Sequence, residues 1–146
     1  MKVRGSTEIV VSKEKIWPFL TEPDKILKWY IPMQKFEYTT QQRSGVGTPF
    51  YFEEKSPMGL MKLNFVVTEW VENEKLAFKM TSGNLVKAYE QKWIVEATPS
   101  GSKFTYIEDF TLPYGFIGKI LGFFGRSSSQ AHVKEMLGKL KSLTEA

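Results

Sequence analysis

The chain has 146 residues, with 20 Lys and Arg against 16 Asp and Glu, a single His and no Cys. That length supports one domain with its own core, and the lack of cysteine excludes disulfides, a thiolate nucleophile and a thiolate metal site. The basic residues are scattered rather than gathered into a stripe, which argues against a nucleic-acid footprint.

The 4 Trp, 6 Tyr and 11 Phe are enough to fill a core, and residues of this kind also line small-molecule pockets. The opening "MKVRGSTEIVVS" has neither the long apolar stretch nor the small-residue cleavage site of a signal peptide. No apolar run approaches the roughly 20 residues of a membrane span. A soluble, cytoplasmic protein is expected.

In chain order, "STEIVVS" predicts a strand over Thr7–Val11. Ser12 can cap a short helix, "KEKIWPFL", whose apolar side is Ile16, Phe19 and Leu20. Pro18 should shorten or bend it, because proline lacks the N–H that the i−4 carbonyl needs. Thr21 is a second cap candidate before "EPDKILKWY", with Pro23 in the first turn and Ile26, Leu27 and Tyr30 at helical spacing. Six strands follow, each marked by alternation or by flanking turn residues: "MQKFEYTT", "TPFYFEEK", "LMKLNFVVTEWV", "KLAFKMT", "LVKAYEQKWIVEA" and "KFTYIEDFTL". In the third, Met61, Leu63, Phe65 and Val67 share a face. In the fifth Tyr89, Gln91, Trp93 and Val95 do, and in the sixth Phe104, Tyr106, Glu108, Phe110 and Leu112 do.

After Pro113 the strand signals stop. On a helical wheel, Phe116, Ile117, Ile120, Leu121, Phe123 and Phe124 form one apolar arc, with glycines and Lys119 opposite. Val133, Met136, Leu137, Leu140 and Leu143 form a second arc on nearly the other side. One straight helix cannot bury both against one sheet, and Ser127 with Gln130 matches a capping box. The pattern therefore predicts a short helix near 115–124, an interruption, and a longer helix near 128–143. The whole reads as a single α+β domain over 1–146, in the order β-α-α-β6-α, with a meander packed on a C-terminal helix.

Several stretches resemble the SRPBCC (START/pollen-allergen-like) superfamily, the helix-grip fold, closest to its polyketide cyclase/dehydrase and CoxG-like branches. They are "STEIVVSKEKIWPFLTEPDKILKWY", the glycine turn "SGVGTPFYF", and "EDFTLPYG" followed by "EMLGKLKSL". The resemblance implies a curved antiparallel sheet wrapped around a long C-terminal helix, with a cavity between them for a lipid or other hydrophobic small molecule. The fold hosts carriers, cyclases and chaperone assistants, so it does not decide among them.

The candidate cavity residues are Trp29 at the start of the meander, Phe65 and Phe78, then Tyr89, Gln91 and Trp93, then Tyr106 and Glu108. Ile117, Leu121, Phe124 and Met136 are the helix-side candidates. Glu108 is a weak catalytic candidate. Among aromatics its pKa would rise and it could serve as acid or base, but a basic partner or a place at the wet edge of the sheet is the favoured reading. Tyr89 and Gln91 could orient a ligand's head group or satisfy each other. "FIGKILGFFG" reads first as core packing, next as a ligand entrance, and third as a face for transient membrane contact. His132, as the only histidine, makes no metal site, and no HExxH, CxxC, GxSxG or P-loop motif is present. No metal or cofactor is expected, and no nucleic acid. Binding or carriage of a hydrophobic small molecule or lipid is the preferred function. The alternatives are a polyketide cyclase/dehydratase using Glu108 or Tyr106, and a protein-interaction module.

Overall fold

The computed structural model describes residues 1–113 and 121–146, and the side chains of all of these except 121–128. Strand β1 (Lys2–Ile9) is followed by three short helices, α1 (Lys13–Ile16), α2 (Pro18–Thr21) and α3 (Pro23–Trp29). Then come β2 (Met33–Tyr38), β3 (Pro49–Ser56), β4 (Gly59–Val71), β5 (Lys75–Gly83), β6 (Ala88–Thr98) and β7 (Gly101–Thr111), and finally α4 (Leu121–Glu145). All six strands of the expected meander are present. The seven strands form one antiparallel sheet in the order β1-β7-β6-β5-β4-β3-β2, with β1 closing on the β7 edge. This is the helix-grip α+β architecture.

Three local expectations are corrected. First, β1 runs over Lys2–Ile9 and not Thr7–Val11. Its ladder to β7 extends from Lys2 opposite Asp109 to Ile9 opposite Ser102, so pairing draws polar residues into the strand while Val10 is left 66% exposed. Second, Pro18 divides the first helix rather than bending it, so three short helices stand where two were expected. Ser12 stands at the N-cap of α1 but its hydroxyl bonds nothing there, and Glu22, not Thr21, is the N-cap of α3. Third, α4 is continuous from Leu121 through the "GRSSSQ" stretch, with no interruption. Extending a helix costs less than nucleating a second one, so Ser127–Gln130 are carried as helix interior. The rest of the expected 115–124 helix lies outside the described residues, as do the side chains of its apolar arc.

The sheet curls because its strands are bent. Irregularities in the β4–β5 pairing fall at Asn64/Phe65 and Val67/Glu69, and another falls at Met33/Lys35 in the β2–β3 pairing. Bulges of this kind bend a strand and increase its twist. Helix α4 packs on β1 and α3 through Val133, Met136, Leu137 and Leu140, all nearly fully buried. Gly5 makes that approach possible, since a Cβ there would stand 2.6 Å from Val133 Cγ1 and 3.0 Å from Leu137 Cδ1.

The inner face of the sheet is divided into two regions. One is filled solid by aromatics: Trp29 meets Trp93 at 5.2 Å between ring centroids, Trp93 meets Phe78 at 5.2 Å, and Phe52 meets Phe65 at 4.6 Å. Edge-to-face and offset pairs contribute about 0.5–1.5 kcal/mol each beyond the area they bury. The other region is hollow. Among the described residues no helix is long and apolar enough to cross a membrane.

Candidate functional site

The hollow has a volume of ≈ 490 Å³, within the roughly 300–1,000 Å³ of small-molecule sites. Its described walls are mostly apolar: Met58 and Met61 from β3–β4, Val86 from the β5–β6 connection, Phe110 at the end of β7 and Leu112 just after it, and Val133 and Met136 from α4. Its floor, where it meets the aromatic core, is polar. Tyr30, Glu54, Tyr89, Tyr106 and Glu108 converge there.

Four elements supply that floor. Tyr30 is the C-cap of α3, held in place because the neighbouring Trp29 donates its indole N–H to the Phe19 carbonyl at 2.7 Å. Tyr89 and Gln91 alternate inward on β6, and Glu108 on β7 stands opposite Gln91. Glu54 shares the inner face of β3 with Phe50 and Phe52, by the same alternation. In a flat sheet β3 and β7 would be about 19 Å apart, at ~4.8 Å per strand. The curl brings them close enough for one hydroxyl, that of Tyr89, to reach Glu54 Oε1 at 3.2 Å and Glu108 Oε2 at 2.8 Å.

The hydrogen bonds have a direction that starts at Trp93. An indole N–H can only donate, and it donates to Gln91 Oε1 at 2.8 Å. That fixes the amide, so Gln91 Nε2 must face the phenols, and it donates to Tyr30 at 2.8 Å and to Tyr89 at 2.9 Å. Both phenol oxygens therefore accept from Gln91, and their hydrogens are free for the carboxyls. Tyr30 donates to Glu54 Oε1 at 2.8 Å and Tyr89 to Glu108 Oε2. The Tyr106 hydroxyl lies 3.1 Å from that of Tyr30 and completes the cluster.

Among the described residues no lysine or arginine pairs with either carboxyl. Glu108 is only 8% exposed, which corrects the favoured expectation of a wet edge, and the basic partner of that expectation is not found among the described residues. Burial pushes both carboxyls up, Glu108 to about 7 and Glu54 to about 8, and the charge of Glu108 adds to the rise at Glu54. Burial and the two nearby carboxyls push Tyr30, Tyr89 and Tyr106 well above the usual phenol value, so all three remain protonated donors. A site of this kind can hold a proton near neutrality and can bind a ligand's polar end.

Of the residues expected at the cavity, Tyr89, Tyr106, Glu108 and Met136 line it. Trp29, Phe65, Phe78, Gln91 and Trp93 are corrected: they stand outside its described lining, in the solid half or directly behind the floor. Gln91 does satisfy Tyr89, and in doing so orients it. Ile117 lies outside the described residues, and so do the side chains of Leu121 and Phe124. Glu54 and Tyr30 were missed as site residues. The alternation Phe50, Phe52, Glu54 carries the signal for the first. For the second, no local pattern separates a helix-face tyrosine from one that points into a cavity.

The sequence model of the family described as "Polyketide cyclase / dehydrase and lipid transport" matches residues 1–145. Among solved structures, the chain is similar to a protein from Thermus thermophilus, with a TM-score of 0.82 and 15% identity over 99% of this chain and 97% of that one. It is similar to a START superfamily protein from Mycobacterium smegmatis, with a TM-score of 0.76 and 13% identity over 97% and 98% of the two chains. It also matches the di-domain ARO/CYC BexL from the BE-7585A biosynthetic pathway, with a TM-score of 0.76 and 15% identity over 100% of this chain and 50% of that one. At these identities the likeness shows the fold alone. No curated protein matches the chain.

Proposed function

Because the chain belongs to the polyketide cyclase / dehydrase and lipid transport family, we propose that it binds an apolar small molecule or lipid in the cavity between sheet and α4, with the molecule's polar end on the tyrosine–carboxyl floor. The observation that carries this reading is the pairing of a mostly apolar hollow of ≈ 490 Å³ with one convergent polar patch. An apolar body gains free energy by leaving water, at about 25 cal/mol per Å², and the patch sets its orientation. Native mass spectrometry and solvent extraction of the purified protein test it. One apolar molecule per chain, or stoichiometric uptake of an apolar fluorophore, is the expected result. A chain that carries no adduct and takes up no fluorophore contradicts it.

A second reading has a specific observation in its favour. Glu108 faces the cavity with a raised pKa and a tyrosine on one oxygen, an arrangement suited to general acid–base work on a bound polyketide-like substrate. Turnover of a β-hydroxy-ketone mimic that is lost in Glu108→Gln would select this reading. Recovery of the bound molecule unchanged would select carriage. Of the patch that would support a protein-interaction role, Phe116–Phe124, residues 116–120 and the side chains of 121–124 lie outside the described residues.

A further inference from the structure

We propose that the cavity selects an apolar molecule ending in a protonated amine over one ending in a hydroxyl or a carboxylate. This rests on the reading that the cavity binds an apolar molecule with its polar end on the floor.

The reason lies in where the floor's hydrogens go. The indole hydrogen of Trp93 is spent on Gln91. Both amide hydrogens of Gln91 are spent on Tyr30 and Tyr89. The phenol hydrogens of Tyr30 and Tyr89 are spent on Glu54 and Glu108. That of Tyr106 has the Tyr30 oxygen at 3.1 Å. The indole, amide and phenol donors of the cluster are thus satisfied inside the protein. The acceptors are not. Among the described residues the close hydrogen bonds to Glu54 fall on Oε1 and that to Glu108 on Oε2, with the Tyr106 hydroxyl also near Glu108, so the two carboxyls keep acceptor lone pairs that no described donor closely engages. Glu108 is nine-tenths buried and lines the cavity. What the floor offers an incoming molecule is therefore a set of acceptors, its one available donor being the proton that the carboxyl pair itself holds near neutrality.

Charge points the same way. The basic groups on the described lining are Lys55, His132 and the amino group of Met1. Lys55 and His132 are exposed, as is the acidic Glu135 beside them. The Met1 ammonium donates to the Phe110 carbonyl and lies 3.8 Å from Asp109. None of them neutralises the two inner carboxyls. A carboxylate head would meet acceptors and like charge. A hydroxyl could donate once. An ammonium brings three donors and the missing positive charge, and by favouring the ionised carboxyls it displaces the proton the pair holds near neutrality.

The experiment is isothermal titration calorimetry at pH 7 with n-decylamine, n-decanol and decanoate, which share one chain length. The amine is expected to bind about tenfold or more tighter than the alcohol, the gain of one charge-assisted bond, and decanoate more weakly than either. Heats in two buffers of different ionisation enthalpy should show proton release with the amine alone. In Glu54→Gln/Glu108→Gln the amine's advantage should vanish while decanol still binds. If decanol binds the wild-type protein and the amine binds no tighter, the amine preference is overturned and the cavity reading stands. If none of the three binds, both fall. The comparison on wild-type protein decides by itself, whatever the fate of the double variant.

Discussion

Gln91→Leu is the sharpest perturbation of the site. The side chain is 1% exposed, and its amide bonds Trp93, Tyr30 and Tyr89 at 2.8, 2.8 and 2.9 Å. Leucine has a similar volume and no polar atom. Removing the carbonyl strands the Trp93 N–H in a dry site, at a cost of ~1–3 kcal/mol, and each lost amide–phenol bond costs a further ~0.5–1.5 kcal/mol net. The extra apolar burial offsets about 1 kcal/mol. The expected loss is about 1–5 kcal/mol, with a midpoint near 3 that corresponds to roughly 10 °C in Tm for a chain of this length. Urea denaturation followed by tryptophan fluorescence measures it, with Gln34→Leu as the comparison. Gln34 is exposed and makes a single 3.3 Å bond to the Pro32 carbonyl, so its replacement should cost under ~0.5 kcal/mol. A Gln91→Leu protein as stable as the Gln34→Leu one would refute the directional network that starts at Trp93.

Two further outcomes follow from the same geometry. Glu54 and Glu108 hold their protons more tightly folded than unfolded. The native state therefore binds more protons between the ordinary carboxylate value and about 8, and stability should fall as pH rises through that window. Chemical denaturation at pH 5 and pH 8 should differ by several kcal/mol, up to about 6, in favour of pH 5, and Glu108→Gln should flatten the slope; a stability that rises from pH 5 to pH 8 in the wild-type protein would contradict the burial of the pair. Gly5→Ala places a methyl 2.6 Å from Val133 Cγ1, so thermal unfolding should show a loss of ~1–3 kcal/mol from overpacking, partly restored by Val133→Ala in the same chain; an unchanged Tm would mean that α4 does not need that close approach.

The fold was legible where hydrophobic period and strand geometry coincide. On β4, Met61, Leu63, Phe65 and Val67 alternate and are all buried. On β6, Tyr89, Gln91, Trp93 and Val95 do the same. Period alone misplaced β1, because "IVV" is the most apolar triplet there, while the ladder to β7 is what sets the strand's limits. The helix break was inferred from two apolar arcs and a capping box, and the low cost of propagating a helix outweighed both. For the site, alternation told which residues face inward but not how far along the curl each one sits. Trp93 and Tyr106 are both inward and directly opposite each other, yet the indole packs in the solid half and the phenol reaches the hollow. Glu54 and Glu108 meet only because the sheet bends, and the irregularities in the strand pairing have no reliable sequence mark.

The methionines locate a ligand directly. Met58, Met61 and Met136 line the cavity together with the terminal Met1, whereas Met33 and Met80 stand outside its described lining. In a ¹³C-methyl-methionine spectrum titrated with n-decanol, the account predicts saturable shifts at Met58, Met61 and Met136, with Met33 and Met80 unmoved. Shifts confined to Met33 and Met80, or none at saturating ligand, would contradict it.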